Sequence, residues 1–165
     1  MDYETFYTKL SQWFKAKKIR LTLLTFIYKA FPNIVLITYP LLLGYLIFMR
    51  DPRLLRCITV PLGVFITLSL IRKYLNFQRP YEKYNITPLF PKNTKGNSFP
   101  SRHTASSAVI SMAMLYVCVP VGCIFLLITA FIALSRIFGG VHFPKDVIVG
   151  YLYAVILGGI FLFIL

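Results

Sequence analysis

Apolar residues run along this chain in long blocks separated by short charged stretches. From Asn33 to Met49 the sequence is almost wholly apolar, and Arg50-Asp51-Pro52-Arg53 closes the block with a basic turn. Leu54 to Ile71 forms a second block, in which Pro61 and Gly63 predict a kink that packing neighbours can tolerate. Thr104 to Leu134 then runs thirty-one residues without a charge. As one straight helix it would measure ~46 Å against a hydrocarbon core of ~30 Å, so it must fold back, and Val119-Pro120-Val121-Gly122 is the place for the turn. Val147 to Leu165 is the last block. The pattern predicts five transmembrane helices, the third and fourth forming a tight hairpin.

The first thirty-one residues read differently. Tyr3, Phe6, Tyr7, Leu10, Trp13, Phe14 and Lys17 recur at helical spacing, with Lys9, Lys15 and Lys18 elsewhere, which describes an amphipathic helix lying in the membrane interface. Leu21 to Tyr28 is only eight residues between Arg20 and Lys29, short of the ~17–25 a crossing needs. A short tilted crossing through residues 16 to 31 is the alternative, and would make a sixth span. The expected fold is therefore all-α, a polytopic membrane helical bundle: an amphipathic interfacial segment over residues 1–31 and a membrane core domain over residues 32–165.

Composition agrees with that reading. The 165 residues are 58% hydrophobic and 14% charged, with a mean hydropathy of +0.71, whereas soluble domains are ~45–50% apolar. A net charge of +13 implies an anionic partner. Lipid headgroups or a phosphorylated substrate fit better than nucleic acid, because most basic residues sit beside apolar runs. Cys57, Cys118 and Cys123 lie in or beside those runs and are read as small buried hydrophobes, without disulfide or metal roles. Carboxylates are few and only Asp146 is close to a histidine in sequence, so no Mg or Zn site and no cofactor are expected. The first twenty residues are too charged for a cleavable signal peptide.

Counting crossings brings the candidate chemistry together. Arg72 and Arg79 follow the second block, Ser101, Arg102 and His103 open the third, Arg136 ends the fourth, and His142 and Asp146 open the fifth. All these ends fall on one side of the membrane. The long polar connection from Asn76 to Pro100 is on that side too, and loops of such length are usually functional. Its Tyr81, Tyr84, Lys83, Lys92 and Lys95 are candidates for a headgroup-recognising rim, or equally for a solvated interface belt. Taken singly, Arg79-Pro80 is a common helix stop, Pro100-Ser101-Arg102-His103 a helix start, His142 with Asp146 an interfacial pair, and Gly139-Gly140 an ordinary turn. Together they suit a phosphate ester. Arginine forks bind phosphate oxygens bidentately, a neutral histidine can attack phosphorus, and a protonated one can donate to the departing oxygen. Four residues separate His142 from Asp146, which puts both on one face if the segment is helical.

Arg79-Pro80, Pro100-Ser101-Arg102-His103 and Ser135-Arg136-x5-His142-x3-Asp146, in this order, resemble the three-part signature of the type 2 phosphatidic acid phosphatase superfamily, from about Asn33 to the end of the chain. The resemblance implies a metal-independent membrane lipid phosphatase working through a phosphohistidine. By position, it makes His142 the nucleophile, Asp146 its partner and His103 the general acid, while Arg79, Ser101 and Arg136 hold phosphate. Two positions depart from the pattern. Where the family's first motif opens with lysine the chain has Arg72, ~1.9 helical turns before Arg79 and so on nearly the same face. Arg102 stands where glycine is common and adds a cation, suiting a more highly charged substrate such as a diphosphate or, equally, pointing to solvent or headgroups. An isoprenoid diphosphate is the favoured substrate, phosphatidylglycerophosphate or phosphatidate next. The rivals are a lipid phosphotransferase with the same site, a vanadate-dependent oxidation enzyme, and a non-catalytic anionic-lipid-binding protein. The resemblance implies a cell-membrane protein with its site on the extracytoplasmic side. Arg50, Arg53 and Arg56, opposite the site, agree with that by the positive-inside rule, while the N-terminal lysines oppose it if residues 1–31 do not cross.

Overall fold

Helices account for most of the chain, and the described residues contain no strand. The computed structural model describes residues 2–164, so Met1 and Leu165, the outermost residues of the two expected units, lie outside it. Seven α-helices follow one another: α1 (Tyr3–Lys15), α2 (Lys18–Phe48), α3 (Leu54–Leu75), the single turn α4 (Pro80–Lys83), α5 (Arg102–Val117), α6 (Val119–Phe138) and α7 (Pro144–Gly159), the last continued by a π-helical turn over Ile160–Ile164.

The eight-residue segment Leu21–Tyr28 and the first expected span form one helix. α2 runs thirty-one residues, ~46 Å, straight across the junction between the two expected units. Pro32 inside it removes the N–H that would bond the Tyr28 carbonyl. Arg136 Nη2 of α6 donates to that carbonyl instead, at 3.3 Å. Pro61 in α3 likewise frees the Cys57 carbonyl, and Tyr39 Oη of α2 donates to it at 2.8 Å. Prolines are tolerated here because a neighbouring helix satisfies what they leave open.

Cys118 separates α5 from α6, one residue before the expected turn, and Pro120 falls in the first turn of α6, where a missing N–H costs nothing. The two form the expected hairpin. α5 is the central helix and packs on α2, α3, α6 and α7. Small residues make this possible: Ala105, Ser107, Ala108, Ser111 and Ala113 are buried. Gly150 of α7 lies so close to α5 that a Cβ there would sit 2.7 Å from the Ser101 carbonyl oxygen. Val64, Leu68, Ala105, Val109 and Ala154 pack into one core cluster, and Leu46, Cys57, Met112 and Leu162 into another.

Four segments are long and apolar enough to cross a bilayer, Lys18–Phe48, Leu54–Lys83, Val119–Phe138 and Pro144–Ile164. α5, one of the five expected spans, is shorter at sixteen residues, ~24 Å, and is enclosed by the others. Outward-facing positions carry Leu36, Leu41, Leu62, Leu127, Leu152 and Ile156, an apolar surface far larger than water-facing proteins expose. Of the cysteines expected to be buried, Cys57 is; Cys118 and Cys123 are exposed, because they sit at the outer turn between α5 and α6.

The bundle has two distinct ends. At one, Arg53 donates to the Tyr116 and Val117 carbonyls at 3.3 Å, closing the C-terminus of α5. At the other, Arg72, residues 98–103, Arg136 and residues 142–146 meet. Asp2 caps α1 by accepting from Tyr3 N at 2.7 Å, and α1 packs on this second end. Tyr7 Oη donates to the Phe138 carbonyl at 3.2 Å and accepts from Leu89 N at 3.1 Å, and Tyr3 packs on Tyr84 and Phe143. Tyr7 and Phe14 are buried against the protein itself, while Phe6 and Trp13 remain about half exposed.

Candidate active site

Each residue of this end is fixed by a local reason. The turn after α6 closes because Val141 N and His142 N both donate to the Arg136 carbonyl, at 3.2 and 3.3 Å. Gly140 adopts φ +76°, and a side chain there would collide with the Tyr7 hydroxyl. Helix α7 then starts at Pro144, and Asp146 in its first turn accepts from Phe143 N at 3.0 Å, an N-terminal cap. That bond turns the carboxylate back toward His142. Asp146 Oδ2 lies 3.4 Å from His142 Nδ1 and accepts from Ser98 Oγ at 2.5 Å. His142 is 2% exposed and Asp146 is fully buried. Burial drives the His142 pKa down to about 4; the Asp146 carboxylate opposes the shift, and the Arg79 and Arg72 guanidiniums add to it. The ring is therefore neutral at physiological pH.

Around this pair stand buried guanidiniums. Arg72, at the end of α3, donates through Nη1 to the Pro100 and Ser98 carbonyls and through Nη2 to that of Asn97, so it clamps the loop leading into α5. Arg79 precedes α4; its Nε donates to the Gly96 carbonyl at 3.1 Å and its Nη1 to that of Val141 at 3.4 Å. Glu82 organises the same loop, accepting from Arg79 N at 2.8 Å and Gly96 N at 2.9 Å. Arg136 is 3% exposed, its guanidinium 4.0 Å from the centre of the Tyr28 ring, and its Nε is buried without a partner. Asp146 Oδ1 is also buried without a partner. Each such orphaned buried polar atom is costly unless something binds to it.

Ser101 is fully buried at the N-terminus of α5; its N–H donates to the Asp146 carbonyl at 2.8 Å, and its Oγ accepts from Thr104 Oγ1 at 3.1 Å. Arg102 and His103, in the first turn of α5, face open space. Both line a cavity of about 680 Å³ between α2, α3 and α5, whose walls include Leu36, Tyr39, Leu62 and Phe65. The cations acting on the His103 ring are Arg136, Lys92 and Arg102. Lys92 enters from the 84–97 loop, and burial together with Arg136, Arg79, Arg102 and Arg72 lowers its pKa to about 8. No group of three or more His, Cys, Asp or Glu among the described residues could hold a metal ion. The arrangement offers a buried neutral imidazole, a second imidazole and several buried cations at one end of the bundle, where Arg102 and His103 also line an apolar groove.

The helix ends carrying Arg72, Arg79, Ser101, Arg102, His103, Arg136, His142 and Asp146 thus lie together, with Arg102 on the outer side. Ser98, Tyr28 and Glu82 have no counterpart in the sequence reading. Ser98 lay in a polar loop without periodicity, and Tyr28 read as the end of a short apolar run. The one available signal was Pro32, four residues beyond Tyr28, which marks an open carbonyl.

The chain is similar to known proteins. Undecaprenyl-diphosphatase BcrC of Bacillus subtilis (strain 168) is 38% identical over 86 residues, which cover 50% of this chain and 42% of that protein, less than half its length. The crystal structure of Aquifex aeolicus LpxE superposes with a TM-score of 0.74 at 25% sequence identity, over 98% of this chain and 99% of that one. The family model of the PAP2 superfamily matches residues 53–164, from the start of α3 to the end of the described chain and across all three motifs, and the chain belongs to that superfamily.

Proposed function

We propose that this chain is a metal-independent membrane lipid phosphatase, a hydrolase that cleaves an isoprenoid diphosphate through a phosphohistidine intermediate. The observation that carries the reading is the buried His142–Asp146 pair, with the Arg72 and Arg79 guanidiniums acting on it and, at the same end of the bundle, His103 and Arg102 at the polar end of an apolar groove. The groove lies within the ~300–1,000 Å³ range of sites that enclose a ligand, and its walls suit a lipid tail that stays among the helices. The likeness to a B. subtilis undecaprenyl-diphosphatase supports a diphosphate over phosphatidylglycerophosphate or phosphatidate.

The chemistry divides between the two histidines. Asp146 keeps the proton of His142 on Nδ1, which leaves the Nε2 lone pair to attack phosphorus. Arg79, Arg136 and Arg72, with Ser101 and the N-terminus of α5, stabilise the charge on the equatorial oxygens. His103 donates a proton to the leaving oxygen, then takes one from the water that cleaves the phosphorus–nitrogen bond and frees inorganic phosphate. Buried anchoring to loop carbonyls holds the guanidiniums in place before substrate arrives. The expected partner is the membrane lipid substrate, and neither nucleic acid nor a cofactor has a part.

The test is phosphate release in detergent with EDTA present, from undecaprenyl diphosphate, phosphatidylglycerophosphate and phosphatidate, by wild type and His142→Ala. Release that disappears in the variant is expected, fastest from the diphosphate. Phosphate appearing on an added acceptor lipid instead of in solution would make the protein a transferase. No turnover of any of the three by folded protein would sink the enzymatic reading. We also propose residence in the cell membrane with the site on the extracytoplasmic face, supported by Arg50, Arg53 and Arg56 at the opposite end. Lys9, Lys15, Lys17 and Lys18 pull the other way, because α1 packs on the site end. Labelling of an Asn93→Cys variant, with the exposed Cys118 and Cys123 replaced by serine, in intact cells by a membrane-impermeant maleimide is expected; labelling only after lysis would reverse the orientation.

A further inference from the structure

Polarity divides the groove between α2, α3 and α5 into two halves. Asn33, Arg102, His103, Ser106 and Ser107 gather in the half nearest the candidate site, whereas Leu43, Ile58, Leu62, Val109 and Ile110 make the rest apolar. Tyr39 is no exception there, because its hydroxyl is tied off by donating to the Cys57 carbonyl at 2.8 Å. The groove is also open sideways, since Leu36, Leu62 and Phe65 in its walls are exposed on the outside of the bundle. A lipid tail can therefore slide in from the bilayer without parting two helices.

Helical rise gives the length of the groove. Its lining runs from Pro32 to Leu43 on α2, ~16 Å, from Phe65 back to Ile58 on α3, ~10 Å, and from Arg102 to Ile110 on α5, ~12 Å. The upper ends on α3 and α5 are level, with the Arg102 guanidinium 5.8 Å from the centre of the Phe65 ring. The lower end is closed: the Tyr39–Cys57 bond joins α2 to α3 beside Ile58, and Leu43 packs on the buried cluster of Leu46, Cys57 and Met112. An extended chain advances ~1.2 Å per bond, a third of the ~3.6 Å that one three-bond residue spans, so ~9–13 carbons fill the groove. Resting on the proposed function, we infer that the groove is a length gauge: it holds about three isoprene units of the substrate's tail, ~12 main-chain carbons, and leaves any longer part in the bilayer. Ile58 and Leu43 mark its end. A tail in lipid is already out of water, so the groove adds no hydrophobic burial; it acts by packing the tail in one place, which fixes the phosphate beside His103.

The experiment measures kcat/KM of the full chain for geranyl, farnesyl and geranylgeranyl diphosphate, each at one mole fraction in detergent micelles, so that every tail starts in apolar surroundings. Expected for wild type is a rise of about fivefold or more from geranyl to farnesyl, and a change within about twofold from farnesyl to geranylgeranyl, whose fourth unit makes no contact with the groove. Ile58→Trp fills the closed end and should bring the farnesyl-to-geranyl ratio down to near one, while persisting geranyl diphosphate hydrolysis reports that the variant is folded. Leu62→Trp, one turn nearer Arg102, should cost both substrates alike. A wild-type rate that is flat from geranyl to geranylgeranyl, or still climbing beyond farnesyl, would overturn the gauge and leave the phosphatase reading standing. Equal losses across the three lengths in Ile58→Trp, or a loss confined to farnesyl in Leu62→Trp, would do the same. No phosphate from any of the three would remove the proposed function and this inference together.

Discussion

Replacing Asp146 with asparagine removes one charge from the site and little volume. Asp146 Oδ2 accepts from Ser98 Oγ at 2.5 Å and Phe143 N at 3.0 Å and faces His142 Nδ1 at 3.4 Å, while Oδ1 has no partner. An amide with its oxygen in the Oδ2 position keeps both of the first two bonds and places its NH2 where an unpartnered oxygen already was. Folding stability should therefore fall by no more than about 1–2 kcal/mol. Catalysis should suffer much more. The developing positive charge on His142 loses a charged partner, about 1.5–3 kcal/mol, which is roughly a 10- to 150-fold loss in rate. The amide oxygen at the Oδ2 position still faces His142 Nδ1 and can accept its proton, so the tautomer is kept and the loss is that of the charge alone. Expected for Asp146→Asn is a kcat lower by about 10- to 150-fold with KM within a few-fold, measured by phosphate release with EDTA present and paired with a thermal melt. A kcat within threefold of wild type would refute the assignment of Asp146 as the group that orients and charges His142. A melting point that collapses together with activity would show instead that the carboxylate acts through the fold.

Four further outcomes follow from the same coordinates. The His142 pKa is lowered to about 4 from an ordinary 6.5, so the acid-side fall of kcat/KM, corrected for ionisation of the substrate and of the general acid His103, should have its half-point near pH 4; a half-point near 6.5 would contradict it. The sign for stability is the same: between pH 4 and 6.5 the unfolded chain binds the extra proton, so this contribution is full above 6.5 and is lost as pH falls toward 4, read as melting temperature against pH. Ser98→Ala removes the bond to Asp146 Oδ2 and should lower kcat about tenfold, a charged hydrogen bond's worth; an unchanged kcat would show that Ser98 is a bystander. Pro32→Ala restores the N–H for the Tyr28 carbonyl that Arg136 now serves, so Arg136→Met should destabilise less in that background, with a coupling of about 1 kcal/mol in a double-mutant cycle of thermal melts, and additivity would dismiss the link. Gly150→Ala would place a methyl 2.7 Å from the Ser101 carbonyl oxygen and should cost about 1–3 kcal/mol with a matching loss of kcat, since it pushes α7, and Asp146 with it, from the start of α5; wild-type behaviour would mean the helices give way freely.

The sequence by itself determined that the chain is a helical membrane protein and which groups could meet. Blocks of apolar residues near the length of a bilayer leave the backbone little choice but helix, because no other local structure satisfies its polar groups in lipid. An uncharged run too long for one crossing must turn, and it turns beside Pro120. Alternation of crossings then forces Arg72, Arg79, Ser101, His103, Arg136 and His142 to one end, a matter of parity more than of packing. Local signals stop there. The short apolar run from Leu21 to Tyr28 between Arg20 and Lys29 argued for a break near residue 31, yet α2 passes straight through, and at Pro32 contact with α6 helps: Arg136 takes the carbonyl that the proline leaves open. The aromatic face of α1 read as membrane-facing, yet Tyr7 and Phe14 are buried on the α6–α7 turn and the polar loop, since a helical period reports that a face is apolar and not what covers it. Ser98 reaches Asp146 across forty-eight residues, and Arg79 reaches the Val141 carbonyl across sixty-two. Those encounters depend on distances between elements far apart in the chain, which packing of the whole bundle decides and no local spacing records.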